Sequence, residues 1–226
     1  HPVVFGTAGA KIMQISQAPS RTVHQTGKPF NDASGKRLRS KWYQISDDMF
    51  YHPDNFYIVS IAHCYPGKHP GGGDRRPPVC CAETWLSQEL ELVQNELYIL
   101  IGGYAASYFF PGRQLTELVF QSLTLRGKPA FVLPHPSPLN IRWFQENPEF
   151  ADQRMPEIRK TIHALLKQDI YSGQTKMKNT DGRRKYMYIK RRFTTTGRPS
   201  MHHIPLICLS ASCTCKFQQL YFQPVP

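Results

Sequence analysis

Residues 11–35 combine an aromatic ring and a carboxylate that could act together on a planar ligand. Phe30 stands two residues before Asp32 in the segment Pro-Phe-Asn-Asp-Ala-Ser-Gly. A flat ring can stack on a planar molecule, and a carboxylate beside it can orient a water molecule. The pair therefore indicates a pocket that binds a planar ligand and holds water against it.

A short apolar strand is expected to bring this segment to the edge of a sheet. Ile12, Met13 and Ile15 form an apolar run that ends in Ser-Gln-Ala-Pro-Ser. Because proline donates no ladder hydrogen bond, the strand should end at Ser16. Ligands bind at the carboxyl edge of open α/β sheets. We therefore expect the loop at residues 17–32 to lie at a ligand-binding edge.

Short apolar runs alternate with amphipathic segments through residue 168. Further strands are expected at residues 56–62, 97–101 and 130–133. Helices are expected at residues 34–44, 82–95, 104–110, 113–123 and 149–168, with Ser34 as the cap of the first. Strands separated by helices are typical of parallel crossover units, so the sequence predicts a layered α/β domain at residues 1–168 with a four-stranded parallel sheet.

Charge is distributed unevenly along the 226 residues. The chain holds 28 basic and 16 acidic residues, for a net charge of +12. Residues 169–226 hold 10 of the basic and 2 of the acidic residues and carry +8, which leaves +4 for residues 1–168. A basic balance favours nucleic acid as a partner, but most of it lies outside the predicted domain.

Residues 169–226 lack a sustained hydrophobic period, and we predict a basic C-terminal extension that is disordered or loosely packed. An alternative is a basic arm that raises the non-specific affinity for DNA. Its clusters Arg-Arg-Lys at residues 183–185 and Lys-Arg-Arg at residues 190–192 could also serve as a nuclear address.

Membrane attachment is not expected from the apolar content of the chain. The mean hydropathy is −0.44, and no apolar run approaches the roughly 20 residues that a bilayer requires. No signal peptide is recognisable, so we expect an intracellular protein of the cytoplasm or nucleoid, or of the nucleus in a eukaryote. Because the chain begins at His1 without a methionine, we expect the natural N-terminus to lie upstream.

The ends of the first and fourth predicted strands resemble two motifs of the uracil-DNA glycosylase superfamily. The first family motif has the form Gly-Gln-Asp-Pro-Tyr or Gly-Glu-Ala-Pro-Gly, and residues 16–20 read Ser-Gln-Ala-Pro-Ser. The second is His-Pro-Ser-Pro-Leu, and residues 135–140 read His-Pro-Ser-Pro-Leu-Asn. The second motif is the more specific of the two.

The resemblance extends over about residues 3–167 and is strongest to the bacterial iron–sulfur and thermophile-type branches. Matching segments are Gly-Lys-Pro-Phe at residues 27–30, Asp-Ala-Ser-Gly at residues 32–35 and His-Cys-Tyr-Pro-Gly at residues 63–67. It implies a three-layer α/β/α fold and a monomer that acts on uracil-containing DNA. The implied reaction is hydrolysis of the N-glycosidic bond of a flipped-out uracil or related deaminated base.

The resemblance also implies a role for each matching residue. Asp32 and His135 are the implied catalytic residues, since Asp32 would hold the attacking water and His135 would donate a hydrogen bond to the departing base. Phe30 would stack on that base. The other implied base-binding residues are Gln17, Ala18, Ser60 and Asn140. The implied DNA-binding residues are Ser137, Pro138, Leu139 and Arg142. Leu139 would be a wedge that enters the duplex.

The sequence departs from the family where an acid is usual. Relatives place an acid at the position of Gln17 or Ala18, whereas one branch uses the aspartate that corresponds to Asp32. Taken without the motifs, Asp32 is an ordinary helix N-terminal residue and His135 is a turn histidine bonded to backbone. Relatives often carry an asparagine at the position of Ser60, so the group that reads the base edge stays open between Ser60 and the backbone of Gln17.

Six cysteines are too few for a disulfide scaffold in a chain of this length. Cys64 and Cys81 have sixteen residues between them, which resembles half of the ligand set in the iron–sulfur branch. That branch holds a 4Fe–4S cluster with two more thiolates from an upstream Cys-x-x-Cys, which would precede His1. The resemblance implies a cluster in a full-length protein; the alternative is a vestigial pair of buried thiols.

Two other interpretations of the whole chain stay open. A non-catalytic DNA- or nucleotide-binding relative would keep the fold and stack a base on Phe30, but would lack turnover because the first motif has no acid. A misjoined gene product would be prevented from folding by its last 58 residues, residues 169–226.

Overall fold

The computed structural model describes the backbone of residues 1–172 and the side chains of residues 1–167. From residue 173 onward, the predicted basic extension lies outside the described residues. Within residues 1–172, five strands form one sheet: β1 (Ile12–Ser16), β2 (Phe56–Ser60), β3 (Leu97–Ile101), β4 (Leu123–Leu125) and β5 (Lys128–Leu133). Their order across the sheet is β2-β1-β3-β5-β4.

The predicted α/β architecture is confirmed, and the sheet has one strand more than predicted. β2, β1, β3 and β5 are parallel and correspond to the four predicted strands. β4 pairs antiparallel with β5 and falls partly in the segment predicted as the helix 113–123. The turn between them, Arg126-Gly127, has positive φ at both residues (51° and 76°). Two such residues make the primed turn that favours a tight hairpin, which explains the additional strand.

The helices lie between the strands. They are α1 (Arg21–Thr26), α2 (Ala33–Arg37), α3 (Asp47–Phe50), α4 (Val79–Cys81), α5 (Ser87–Leu92), α6 (Gly103–Phe109), α7 (Leu115–Phe120), α8 (Ile141–Glu146) and α9 (Met155–Ser172). π-helical turns follow α2 (Leu38–Tyr43), join α4 to α5 (Ala82–Leu86) and precede α9 (Phe150–Arg154). A 3₁₀ turn (Pro138–Asn140) precedes α8. Each of the five predicted helices has a counterpart here, whereas the short helices α1, α3 and α8 were not predicted.

Burial of the central strands shows that helices cover both faces of the sheet. Every residue of β1 and β3 is buried. Because successive side chains of a strand point to opposite faces, complete burial requires a layer on each side. The three-layer arrangement follows from this pattern. Among the described residues, no helix is both long and apolar enough to cross a membrane.

The residue that caps the start of α2 is not the predicted one. Ser34 was expected to cap this helix, but the cap is Asp32, whose side chain accepts a hydrogen bond from the backbone N–H of Gly35. The segment 17–32 is also not a plain loop, because it contains α1, which Ser20 caps by accepting from the N–H of Val23. Two capped helices in succession therefore fix the loop that follows β1.

Candidate active site

The aromatic ring, the carboxylate and the imidazole singled out in the sequence line one cavity. Phe30, Asp32 and His135 lie on the wall of a space of about 370 Å³. The cavity is bordered by the ends of β1 and β2 and by the turn after β5, as expected for the carboxyl edge of a parallel sheet. The other predicted site residues in this wall are Gln17, Ala18, Ser60, Ser137, Leu139 and Asn140. Pro138, Arg142, Cys64 and Cys81 are not part of the wall.

Two serine hydroxyls at the ends of neighbouring strands contribute to the cavity wall. Ser16 and Ser60 occupy paired positions of β1 and β2, and each is 6% exposed. Their Oγ atoms are 2.8 Å apart, and either hydroxyl can be the donor. A hydroxyl both donates and accepts, so this pair can present a donor or an acceptor to a ligand. Such a pair suits the polar edge of a planar ligand.

Phe30 occupies a tight backbone corner. Its φ is 53°, in the left-handed region that L residues seldom adopt. Gly35 lies against this corner, and a Cβ there would come within 1.7 Å of the Phe30 carbonyl oxygen. The Phe30 ring meets Phe50 edge to face, with centroids 6.4 Å apart. The corner thus places Phe30 in the cavity wall, with its ring packed against the core.

Asp32 is both the helix cap and a cavity residue. Its Oδ1 accepts from the backbone N–H of Gly35 at 2.8 Å, and its Oδ2 accepts from the hydroxyl of Ser20 at 3.2 Å. The helix-cap interpretation of Asp32 therefore describes its local geometry correctly. Each carboxylate oxygen can accept more than one hydrogen bond, so both retain capacity for a water molecule in the cavity.

His135 is held as a neutral ring by its surroundings. Burial lowers its pKa below the ordinary 6.5, and the opposing effect of Asp32 is smaller. Its Nδ1 accepts from the backbone N–H of Ser137 at 3.3 Å, which places the ring proton on Nε2. Its carbonyl accepts from the side-chain amide of Asn140 at 2.8 Å. The result is a fixed imidazole with one N–H available to donate.

The turn after His135 presents an apolar side chain to solvent. Ser137 accepts from the N–H of Leu139 at 3.2 Å, and this bond caps the short 3₁₀ turn. Leu139 is 92% exposed. Arg142 also lies on the surface, where its Nε pairs with Glu146 at 2.7 Å. The capped 3₁₀ turn therefore presents the Leu139 side chain to solvent.

The loop between β2 and α4 contributes one wall residue from the matched segment at residues 63–67 and a second that the sequence did not indicate. Pro66 and Asp74 both line the cavity. Asp74 accepts from the hydroxyl of Tyr65 at 3.0 Å, pairs with Lys68 at 2.9 Å and forms an antiparallel bridge with it. Only long-range packing brings this loop to the cavity, since no motif surrounds Asp74. The only local indication in the sequence is the run Gly71–Gly73, which permits the chain to reverse direction just before Asp74.

Cys81 lies in a buried polar cluster away from the cavity. Its sulfur is 3.3 Å from the backbone nitrogen and 3.4 Å from the Nδ1 of His63. His63 Nε2 is 2.9 Å from Glu89, which also accepts from the hydroxyl of Tyr57 at 2.9 Å. Burial alone would lower the pKa of His63, but the hydrogen bonds to Cys81 and Glu89 outweigh it and raise that pKa to about 9.

The residues around Cys81 do not by themselves form an iron–sulfur site. Within the part of the chain that the structure describes, no three His, Cys, Asp or Glu side chains are grouped to hold a metal ion. A cubane cluster needs four ligands, and Cys81 is already engaged with His63. The cluster expected for a full-length protein therefore stays a prediction.

Comparison with known protein families gives one match that covers most of the domain. The family model described as the uracil DNA glycosylase superfamily matches residues 3–159. Both strand-end motifs and all the cavity residues named above fall within these residues.

Proposed function

Because the chain belongs to the uracil DNA glycosylase superfamily, we propose that it hydrolyses the N-glycosidic bond of a flipped-out uracil, or a related deaminated base, in DNA. Membership indicates a DNA glycosylase, which is a hydrolase of DNA repair. The observation that carries the finer proposal is that Phe30, Asp32 and His135 line one cavity.

In this mechanism the base enters the cavity and stacks on Phe30. Ala18 and Asn140 border the base, while the backbone of Gln17 and the Ser60 hydroxyl read its edge. The hydroxyl pair of Ser60 supports this role, since it lies in the wall with donor and acceptor capacity.

Asp32 acts on the sugar side of the reaction. Cleavage leaves positive charge on the sugar, and a nearby carboxylate stabilises that charge and orients the attacking water. The bonds from Gly35 and Ser20 hold the carboxylate in place before the base arrives. A positioned group of this kind loses little entropy in the transition state.

His135 acts on the departing base. Negative charge develops on the base oxygen, and the Nε2–H of a neutral imidazole can donate to it. The bond from Ser137 to Nδ1 supports this orientation. The ring therefore stabilises charge without having to give up its proton.

We propose that the protein binds DNA as a monomer through the turn at residues 137–142. Leu139 fills the gap that the flipped nucleotide leaves, which its 92% exposure supports. Ser137 and Pro138 contact the phosphate backbone, and Arg142 contributes positive charge beside it.

A test with Asp32→Asn separates the charge of this side chain from its role as a cap. The amide oxygen can still accept from Gly35, so the fold should be kept. We expect single-turnover excision of one deoxyuridine from a labelled strand to fall on the order of 10²–10⁴-fold, with DNA binding nearly unchanged. The matched control is Asp48→Asn, which removes the same charge from an exposed residue of α3 and should leave the rate unchanged. Undiminished excision by Asp32→Asn would refute the assignment.

A second candidate is a non-catalytic DNA- or nucleotide-binding protein. It is favoured by the missing acid of the first motif and by the engagement of both Asp32 oxygens in hydrogen bonds. The same assay decides between the two. Retention of the deoxyuridine strand without abasic product would support the binding protein.

A further inference from the structure

We propose that Arg39 is a positioning residue that holds the Phe30 ring in the cavity. The inference rests on the proposed function, in which that ring stacks on the flipped base. Arg39 is only 7% exposed and does not line the cavity. Any effect it has on a bound base must therefore pass through another residue.

The Arg39 guanidinium contacts the Phe30 corner directly. Its Nη1 donates to the carbonyl oxygen of Phe30 at 2.8 Å and to the hydroxyl of Tyr51 at 3.2 Å. Its Nε pairs with Asp47 at 2.7 Å. The guanidinium is planar, and its contacts with Asp47 and Tyr51 fix its orientation. Its bond to the Phe30 carbonyl therefore holds that carbonyl at one position.

Tyr51 fixes the preceding residue in the same way. Its hydroxyl donates to the carbonyl oxygen of Pro29 at 3.0 Å. The guanidinium carbon of Arg39 lies 5.1 Å from the Tyr51 ring centroid and 5.3 Å from that of Phe50. Phe50 in turn packs against the Phe30 ring in a T-shaped contact. Arg39 and Tyr51 thus hold the carbonyl groups of two successive residues, Phe30 and Pro29. Both also pack against the ring of Phe50, which contacts the Phe30 ring.

This arrangement maintains a backbone conformation that Phe30 would not favour alone. The left-handed region at φ 53° is costly for an L residue with a bulky side chain. Without the bond from Arg39, the corner can relax and the ring can leave the cavity. Asp32 should stay in place, because Gly35 and Ser20 hold it independently of Arg39.

The first experiment is a double-mutant cycle on excision kinetics of the full chain. We expect Arg39→Met to raise the protein concentration at half-maximal single-turnover rate about tenfold and to change the maximal rate less than about threefold. Phe30→Ala should have the same effect, and adding Arg39→Met to Phe30→Ala should change little more. Lys41→Met is the control for lost charge, because Lys41 is exposed and close in sequence. Additive effects, or an equal fall in the maximal rate, would contradict the positioning role.

The second experiment measures the corner without any activity. Phe30→Gly and Phe30→Ala both remove the ring, but only glycine relieves the left-handed strain. We expect Phe30→Gly to melt on the order of 3 °C above Phe30→Ala when Arg39 is present. This difference in melting temperature should fall by at least half when Arg39→Met is added to both variants, because the backbone at Phe30 is then already relaxed. An unchanged difference would overturn the proposal.

These measurements keep the two proposals apart. If the wild-type chain excises no base but the melting difference depends on Arg39, the proposed function fails and the structural role of Arg39 stands. If excision occurs and neither cycle shows coupling, Arg39 is not a positioning residue. Should Arg39→Met not fold, Tyr51→Phe replaces it in both cycles, since it removes the hydroxyl that accepts from Arg39 and donates to Pro29 while keeping the ring.

Discussion

Single side chains of this cavity serve the fold and the proposed chemistry at once. Asp32 caps α2 with its carboxylate and also lines the cavity. His135 accepts from its own turn with one nitrogen and leaves the other to donate. Because each group is already held by local bonds, its orientation does not depend on a ligand. Preorganisation of the site is therefore a consequence of ordinary capping and turn geometry.

The lowered pKa of His135 predicts a stability that depends on pH in one direction. Burial keeps the folded pKa below 6.5, so between these two pKa values the unfolded chain binds more protons than the folded one. The free energy of unfolding should therefore be unaffected by this group above about pH 6.5 and fall as the pH decreases through 6.5. Melting temperatures from about pH 8 to about pH 5 test this against His135→Gln, which cannot gain the charge.

Other titrating groups are common to both chains and cancel in the comparison of wild type with His135→Gln. We expect the wild type to lose more stability on acidification than the variant. Parallel curves for the two chains would show that His135 titrates normally and would remove the argument for a neutral donor.

At the scale of elements, the sequence predicted those features that local residue patterns determine. Apolar runs located the four parallel strands. The residue types at Phe30 and Asp32 located one part of the cavity wall, and the resemblance of residues 135–140 to a family motif located another. β4 was not predicted, because its hairpin depends on the positive φ of Arg126, a residue without that preference. Asp74 reaches the wall through contacts distant in sequence, which no local pattern records.

One element boundary tests how tightly the ring and the helix are joined. Gly35→Ala places a Cβ within 1.7 Å of the Phe30 carbonyl oxygen, so the corner or α2 must move. We expect the free energy of unfolding to fall by about 2 kcal/mol or more, and the concentration at half-maximal excision rate to rise because the ring shifts. Thermal unfolding and the single-turnover assay measure the two effects.

The matched control for Gly35→Ala is Gly103→Ala in α6. No atom lies within 4 Å of a Cβ at Gly103, and alanine favours helices more than glycine does. This variant should be neutral or stabilised by up to about 1 kcal/mol. If both variants melt alike, the close approach of Gly35 to the Phe30 carbonyl does not constrain the corner.

At the scale of the whole molecule, we expect most of the electrostatic affinity for DNA and the choice of base to reside in different parts of the sequence. The cavity and its motifs lie within residues 3–159, which the family match covers. Residues 169–226 hold most of the net positive charge, with six basic residues in the two clusters at 183–185 and 190–192. Contacts to phosphates add affinity without selecting a base. The clusters should therefore govern the salt dependence of binding and leave the excision chemistry unchanged.

Replacement of the six clustered basic residues with alanine in the full chain tests this division. Each neutralised phosphate contributes about 0.9 to the slope of log affinity against log salt concentration, so the slope should become shallower by up to about 5. Excision at saturating protein should stay at the wild-type rate, because the cavity residues are untouched. The control replaces Thr194, Thr195 and Thr196 with alanine, which alters the same region without altering its charge. A salt slope equal to that of the wild type would show that DNA does not contact these clusters.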